Sequence, residues 1–281
     1  MLTTDALHAA VAGDGDDRVL TLDGAWQGLP DTAHGGSVLA LFDLVAAPGG
    51  PRRLDGHYLK RVPLGVPLRL RTRHGPDGCH LELSERDAVL VRGQVAAVAP
   101  AEGTPSGAVV PPPADDAMAL PISRTCFACG VDNALGLHAR LRADAGAVGG
   151  TWTPRPGFAD AGGRLAPVAL TTLLDEAAFW LGALATGESG MTTELAVTLH
   201  RPVRADATVT VVGARGAVRQ RVDDGRYWDT RVEVRDAGGA LVASAAITFV
   251  AVRGAARRLA TGLLALNPPA LLRRIFPAYV R

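Results

Sequence analysis

One apolar stretch limits the folds open to this chain of 281 residues more than any other feature. It runs from Leu165 to Leu184, and its only charges are the adjacent pair Asp175 and Glu176. Pro167 lies where the first turn of a helix accepts proline, because the N–H that it lacks has no intrahelical partner there. A helix that is apolar on nearly every face is buried, so carboxylates in its middle must be paired, protonated or functional. We therefore predict a central core helix, and the acidic pair and the proline argue against a membrane span.

The same pattern occurs earlier in the chain, where His34-Gly-Gly precedes a shorter apolar run that contains Asp43. Asp43 lies nine residues after His34 (43 − 34), as Asp175 lies nine residues after Ala166 (175 − 166). The strand patterns that follow also match between the halves. The offset is 132 residues at the helix (175 − 43) and 140 at a later strand (201 − 61). We interpret the chain as two copies of one unit, the first shorter by about two helical turns after its helix.

The overall composition indicates no strongly charged binding surface. The formal net charge is +1, so no charge field points to nucleic acid as a partner. The three cysteines, Cys79, Cys126 and Cys129, are too few for a disulfide framework and fit a reducing compartment. The first residues have neither the basic nor the apolar region of a secretory signal. We therefore expect a cytoplasmic protein.

Shifts in composition divide the chain into four parts. We predict an N-terminal unit over residues 1–99, a Pro-rich linker over 100–122, a C-terminal unit over 123–253 and a basic apolar tail over 254–281. The prolines of the linker suit neither a sheet ladder nor a core, so we expect it to be the most protease-sensitive part of the chain. A tail of this kind can lie on a membrane surface, but we expect it to pack on its own domain. The first strands are predicted at residues 7–11 and 18–22.

Three motifs connect the two halves to a known superfamily. The first is His34-Gly35-Gly36 with Asp43 nine residues on, and the second is Asp175-Glu176-Ala177-Ala178 on the second helix. The third opens the second half and runs Cys126-Phe-Ala-Cys-Gly-Val-Asp-Asn-Ala-Leu-Gly-Leu137. Together they resemble the hotdog-fold superfamily, in which an antiparallel sheet wraps a central helix. Within it, the chain is most similar to the acyl-CoA thioesterases of the phenylacetic-acid-pathway type.

The resemblance implies an α+β fold of two hotdog units in tandem, which form an internal pseudo-dimer. The implied activity is hydrolysis of an acyl-CoA or acyl-carrier thioester between the units, with coenzyme A as part of the substrate and no other cofactor. Association of whole chains into a homo-oligomer is also compatible with this family. The superfamily leaves alternatives open. One is a non-catalytic acyl-thioester binding protein or a degenerate hotdog protein. A weaker one is a dehydratase, for which the sequence offers no Asp/His pair in a hydratase-like arrangement.

The segment His34-Gly35-Gly36 has a chemical interpretation. Backbone N–H groups at a helix N-terminus have no intrahelical partner and carry the positive end of the helix dipole, so they can hold a thioester carbonyl and its developing oxyanion. Glycine leaves room for the substrate to approach. The alternative is a tight turn before a helix, in which the His34 side chain only binds backbone.

The acids Asp43 and Asp175 can attack a thioester or activate a water molecule, or they can be neutralised by arginine. Neighbours in a helix point about 100° apart, so we expect only one of Asp175 and Glu176 to face a pocket, and choose Asp175. The second half has Ala166-Pro167-Val168 in place of His-Gly-Gly, without the proline's N–H and with a branched side chain. We therefore predict one working site, built from Gly35, Gly36 and Asp175, with Asp43 a structural or vestigial acid.

Two further groups of residues complete the predicted site. By the family resemblance, Arg61, Arg201 and Arg204 lie near strand ends where coenzyme A phosphates bind, although solvated surface arginines are the commoner explanation. For Cys126 and Cys129 we favour packing over zinc or redox chemistry. Zinc needs about four ligands, and His138 alone does not complete a set with the cysteines; we therefore predict no metal site.

Overall fold

The computed structural model describes residues 2–99 and 110–280. The first half contains two helices and six strands: α1 (Thr3–Ala9), β1 (Val11–Ala12), β2 (Asp17–Leu20), α2 (Gly35–Ala46), β3 (Arg52–Tyr58), β4 (Leu68–Gly75), β5 (Gly78–Glu85) and β6 (Ala88–Ala97). The second half and the tail contain β7 (Met118–Ala119), β8 (Arg142–Ala143), β9 (Ala147–Trp152), α3 (Pro167–Thr186), β10 (Gly190–Leu199), β11 (Val209–Ala214), β12 (Arg219–Gln220), β13 (Tyr227–Asp236), β14 (Leu241–Ala251), α4 (Ala255–Leu263) and α5 (Pro269–Ile275).

The strands form one continuous antiparallel sheet that the two halves share. Outward from the junction of β3 and β10, the first half runs β3-β6-β5-β4-β2-β1 and the second runs β10-β14-β13-β11-β9-β8-β7. At the junction His57 pairs with Glu194 and Leu54 pairs with Val197. Moving the first pair by the repeat offset of 140 residues (57 + 140, 194 − 140) gives the second pair. The junction is therefore symmetric, and the two halves are copies placed side by side, as predicted.

The helices α2 and α3 pack against each other within this sheet. A Cβ at Gly36 would lie 2.5 Å from the carbonyl oxygen of Thr171, so glycine permits the two backbones to approach. The predicted core helix is observed over Pro167–Thr186 and ends at Gly187, which adopts the left-handed conformation typical of a helix C-terminus. α3 has the length and hydropathy of a membrane span, but 83% of that span is buried in the fold, as in a core helix.

The N-terminal segment departs from the prediction. Residues 7–11 were expected to form a strand, but Thr3–Ala9 form α1 and only Val11–Ala12 pair with β2. Thr3, Ala6, Leu7 and Ala10 are buried. Their spacing of three, four and seven residues is that of one helix face. The strand prediction for residues 7–11 was wrong because this helical period was overlooked.

The predicted linker lies partly outside the described residues, which omit 100–109. At its other end, Met118–Ala119 pair with β8, and the side chain of Asn267 hydrogen-bonds both the N–H and the carbonyl of Ile122 at 2.9 and 2.7 Å. Asn267 belongs to the tail, whose helices pack on the fold: Phe276 is fully buried beside Trp180 of α3. The tail therefore covers its own domain. The domain boundaries and the protease sensitivity of the linker remain predictions.

Candidate active site

A pocket lies between the two halves, where the N-terminus of α2 meets the middle of α3. It contains about 900 Å³ of empty space, including its open mouth. Its walls come from both units: His34 and Gly35 from the first, and Asp175 and Glu176 from the second. The tail adds Leu263 of α4. Neither half alone therefore forms this pocket.

His34 lies between the two acids of α3. Its backbone N–H donates to the carbonyl of Trp26 at 2.8 Å, and its Nδ1 accepts from the backbone N–H of Gly36 at 3.2 Å as the N-cap of α2. One side of the imidazole ring lies near Asp175, with Nδ1 3.2 Å from Oδ2, and Nε2 lies 3.7 Å from Oε2 of Glu176. Both acids line the pocket. The expectation that only one would face it was wrong, because the pocket extends far enough around α3 to be lined by both neighbours, which point about 100° apart.

The charge state of His34 follows from these neighbours. Burial acts to lower the pKa of His34, but the hydrogen bond to Glu176 and the negative charge of Asp175 outweigh it and raise the pKa to about 9. The two acids therefore favour the charged form of the imidazole. Nδ1 lies 3.2 Å from Oδ2 of Asp175 and also 3.2 Å from the backbone N of Gly36, whose N–H it accepts in the cap of α2.

The carboxylate of Asp175 is held from two sides. Oδ1 accepts a hydrogen bond of 2.6 Å from the hydroxyl of Thr192 on β10, and Oδ2 accepts one of 2.9 Å from the backbone N–H of Gly36. A Cβ at Gly35 would lie 2.8 Å from Oδ2. The glycines therefore make room for the carboxylate and for α3, in addition to the room for substrate that the sequence suggested.

The N–H of Gly36 is already bound to Asp175, which leaves Gly35 as the open donor. Gly35 lines the pocket, and its N–H has no hydrogen-bond acceptor among residues 2–99 and 110–280. Its carbonyl accepts a hydrogen bond of 2.6 Å from the hydroxyl of Tyr58. Burial and the charge of Asp175 raise the pKa of Tyr58 well above its usual value, so the phenol stays a donor.

The equivalent region of the other half is built differently. Asp43 is buried and forms a two-point ion pair with Arg52, at 2.5 and 2.7 Å. It faces a separate depression that is bordered by Ala166-Pro167-Val168 and by α1. Asp43 is therefore absent from the pocket between the units, and its negative charge is balanced by arginine.

Of the three arginines expected to meet coenzyme A, one reaches the pocket. Arg61 lines it together with Lys60. Arg201 pairs with Asp236, and Arg204 pairs with Asp206 at 2.6 Å; neither lines this pocket. Sequence reasoning missed Lys60, although it is the chain's one lysine, and it missed Tyr58 and Thr192, which no motif marks.

The segment from Cys126 to Leu137, which opens the second half and is called the leader loop below, packs on the first half. The N–H of Phe127 donates to the carbonyl of Gln27 at 2.6 Å, and its ring lies 4.7 Å from that of Trp26. The same loop buries Cys126 and Cys129, both with free thiols, at the wall of the pocket. The hydrogen bond from Cys129 lowers the pKa of the Cys126 thiol despite its burial, and it raises the pKa of Cys129 well above its usual value.

No protein-family model matches the chain, and no curated protein matches it in sequence. Solved structures do match. A conserved protein of unknown function with a hot dog fold from Alicyclobacillus acidocaldarius is 15% identical, with a TM-score of 0.62 over 88% of this chain and 98% of that one. The acyl-CoA thioesterase II TesB2 of Mycobacterium marinum is 14% identical, with a TM-score of 0.57 over 89% and 98%.

A dehydratase, GphF, is also similar, at 16% identity and a TM-score of 0.53 over 86% of this chain and 97% of that one. At these identities the similarity shows the fold alone. The predicted α+β fold is confirmed: the chain is a tandem of two hotdog units that form an internal pseudo-dimer.

Proposed function

We propose that the chain hydrolyses an acyl thioester, an acyl-CoA or an acyl-carrier thioester, in the pocket between its two units. The observation that carries this proposal is the position of the Asp175 carboxylate beside Gly35, whose N–H is open at the N-terminus of α2. The proposal is supported by an acid and an open N–H on facing helices of one pocket, since thioester hydrolysis uses an acid or base together with an oxyanion donor.

In this mechanism the thioester carbonyl oxygen accepts a hydrogen bond from Gly35, and the positive end of the α2 dipole stabilises the charge that develops on it. Asp175 takes a proton from a water molecule whose oxygen attacks the carbonyl carbon. The C–S bond then breaks, and the proton passes to the leaving thiolate. Direct attack by Asp175, followed by hydrolysis of the mixed anhydride, gives the same products. Thr192 and His34 keep the carboxylate in place.

The rest of the pocket suits the two ends of such a substrate. Phe179 and Trp180 of α3 and Leu263 of the tail form an apolar wall for the acyl chain. Lys60 and Arg61, both exposed, also line the pocket, and their charges can meet phosphate groups of the carrier. No equivalent role is proposed for Arg201 or Arg204.

A thiol-release assay over a panel of acyl-CoAs, with the free thiol trapped by a chromogenic reagent, tests the proposal. We expect Asp175→Asn to abolish turnover, and Asp43→Asn, the matched variant of the other half, to retain it; circular dichroism confirms folding of both. Turnover that survives Asp175→Asn but not Asp43→Asn contradicts the proposal. Acyl-CoA binding by calorimetry without thiol release in the wild type supports the non-catalytic alternative instead.

One observation favours dehydration as a second candidate. The sequence offered no Asp/His pair, but the structure brings His34 of one unit within 3.2 Å of Asp175 of the other. Such a pair can remove a proton beside a thioester carbonyl and protonate a leaving hydroxyl. Incubation with a 3-hydroxyacyl thioester separates the two functions: mass spectrometry detects loss of water if the chain is a dehydratase, and loss of the thiol if it is a hydrolase.

A further inference from the structure

Side chains that can bind a metal meet at one wall of the pocket from three separate parts of the chain. His34 precedes α2, Glu176 lies in the middle of α3, and Cys126 belongs to the leader loop. One ligand atom of each lies within 4.8 Å of those of the other two, and all three residues are buried. His138, the histidine nearest the cysteines in sequence, instead bonds the carbonyl of Asn133 through Nε2 at 2.8 Å.

We propose that His34, Cys126 and Glu176 bind one zinc ion. Imidazole, thiolate and carboxylate are the three side-chain ligand types that zinc takes in proteins. Zinc binds sulfur at about 2.3 Å and nitrogen or oxygen at about 2.0–2.2 Å, so its ligand atoms lie about 3.3–3.7 Å apart. Nε2 of His34 is already 3.7 Å from Oε2 of Glu176. Movements of about 1 Å or less therefore complete the triangle.

Each of the three ligands also has a second polar contact that orients it, as in known zinc sites. Nδ1 of His34 lies 3.2 Å from both Oδ2 of Asp175 and the N of Gly36, and Nε2 is the ring nitrogen that lies toward Glu176. The indole N–H of Trp180 donates to Oε1 of Glu176 at 2.9 Å, which leaves Oε2. The N–H of Ala128 donates to Sγ of Cys126 at 3.3 Å. One ligand atom of each residue thus remains within 4.8 Å of those of the other two.

Because all three ligands line the pocket, the remaining coordination position opens to it, as in zinc sites that keep one place for water or substrate. Cys129 lies beside Cys126 and is not needed as a ligand. The metal also connects the two units, since His34 comes from the first and the other two ligands from the second half. The proposal does not depend on the thioester reaction, and its test needs no substrate.

The test measures metal on the full chain. The protein is purified with a phosphine reductant, saturated with zinc chloride and desalted, and its zinc content is measured by mass spectrometry. We expect about one zinc ion per chain in the wild type and in Cys79→Ser, and less than about a tenth in Cys126→Ser. Cys79 is the control because its thiol is also buried but lies in β5, outside the pocket. Equal zinc in the wild type and Cys126→Ser overturns the proposal.

A second measurement uses the wild type alone and so does not depend on how variants fold. Cobalt(II) added to the metal-free protein is expected to give the near-ultraviolet charge-transfer absorption of a cobalt–thiolate bond, and zinc to abolish it by displacement. No such absorption overturns the proposal. Glu176→Gln and His34→Asn are expected to weaken zinc binding more than Cys129→Ser does; the reverse order contradicts the ligand assignment.

Discussion

The hydroxyl of Thr192 donates a hydrogen bond to Asp175, and the residue at the equivalent place in the other half, Arg52, forms an ion pair with Asp43. The two positions differ by the strand offset of 140 residues (192 − 52). In the second half, β10 thus presents a neutral hydroxyl to Asp175. In the first half, β3 presents a guanidinium that neutralises Asp43. The two acids therefore have different partners in the two halves.

Loss of the Thr192 hydroxyl is expected to reduce activity. Thr192→Val removes one of the two hydrogen bonds that hold Asp175, so we expect kcat to fall by about 10- to 100-fold while KM changes little. The control is Thr193→Val on the same strand, whose hydroxyl bonds the carbonyl of Thr248 and does not reach the acid. Equal loss in both variants, measured by thiol release, shows that Thr192 does not position Asp175.

Removal of the Asp43 charge is expected to affect stability and not chemistry. In Asp43→Asn the half-buried guanidinium of Arg52 loses its charged partner, so we expect the free energy of unfolding to fall by about 1–3 kcal/mol. Urea denaturation followed by circular dichroism measures this change. The double variant Asp43→Asn, Arg52→Gln should recover part of the loss, since no charge is left unpaired. No recovery argues that the ion pair is not the cause.

The proposed recognition of phosphate by Arg61, which lines the pocket, can be tested with two substrates. We expect Arg61→Ala to raise KM for an acyl-CoA several-fold, but not for the acyl N-acetylcysteamine thioester, which has no phosphate. Arg201→Ala is the matched control, because Arg201 occupies the equivalent position (201 − 61 = 140) and pairs with Asp236 away from the pocket. An equal rise of KM with both substrates rules out phosphate recognition by Arg61.

The contacts of Glu194 with Arg221 and Thr248 predict part of the pH dependence of stability. The hydrogen bond from Arg221 lowers the pKa of Glu194, and the Thr248 hydroxyl adds to this against the effect of burial. A carboxylate whose folded pKa lies below its unfolded value contributes stability above the unfolded pKa and loses it as the pH falls through the folded value. Because the group is half-exposed, we expect Glu194→Gln to cost less than about 1 kcal/mol at neutral pH. The difference from wild type should vanish in acid, where urea midpoints of the two proteins should converge.

The sequence predicts more of the fold than of the site. The apolar run around Asp175 and the repeat offset are local patterns, and they correctly give the core helix and the symmetric junction of β3 with β10. The site depends on which side chains face one another after α2 packs on α3. No local pattern indicates that Thr192 meets Asp175, or that Cys126 lies beside His34, which is 92 residues away (126 − 34). These contacts are set by tertiary packing. The sequence indicates some of the residues singly but not which of them meet.

The shared sheet has a consequence for how this protein could diverge. In an assembly of two identical chains, every substitution is made twice, so a change that spoils one helix start spoils both. Here β3 and β10 join two copies that are encoded separately. Ala166-Pro167-Val168 could therefore replace a donor sequence in one copy while His34-Gly35-Gly36 stayed intact in the other. Duplication within one chain thus lets one of the two sites lose its donor sequence while the other keeps it, and the ion pair of Asp43 with Arg52 lies at the site without the donors.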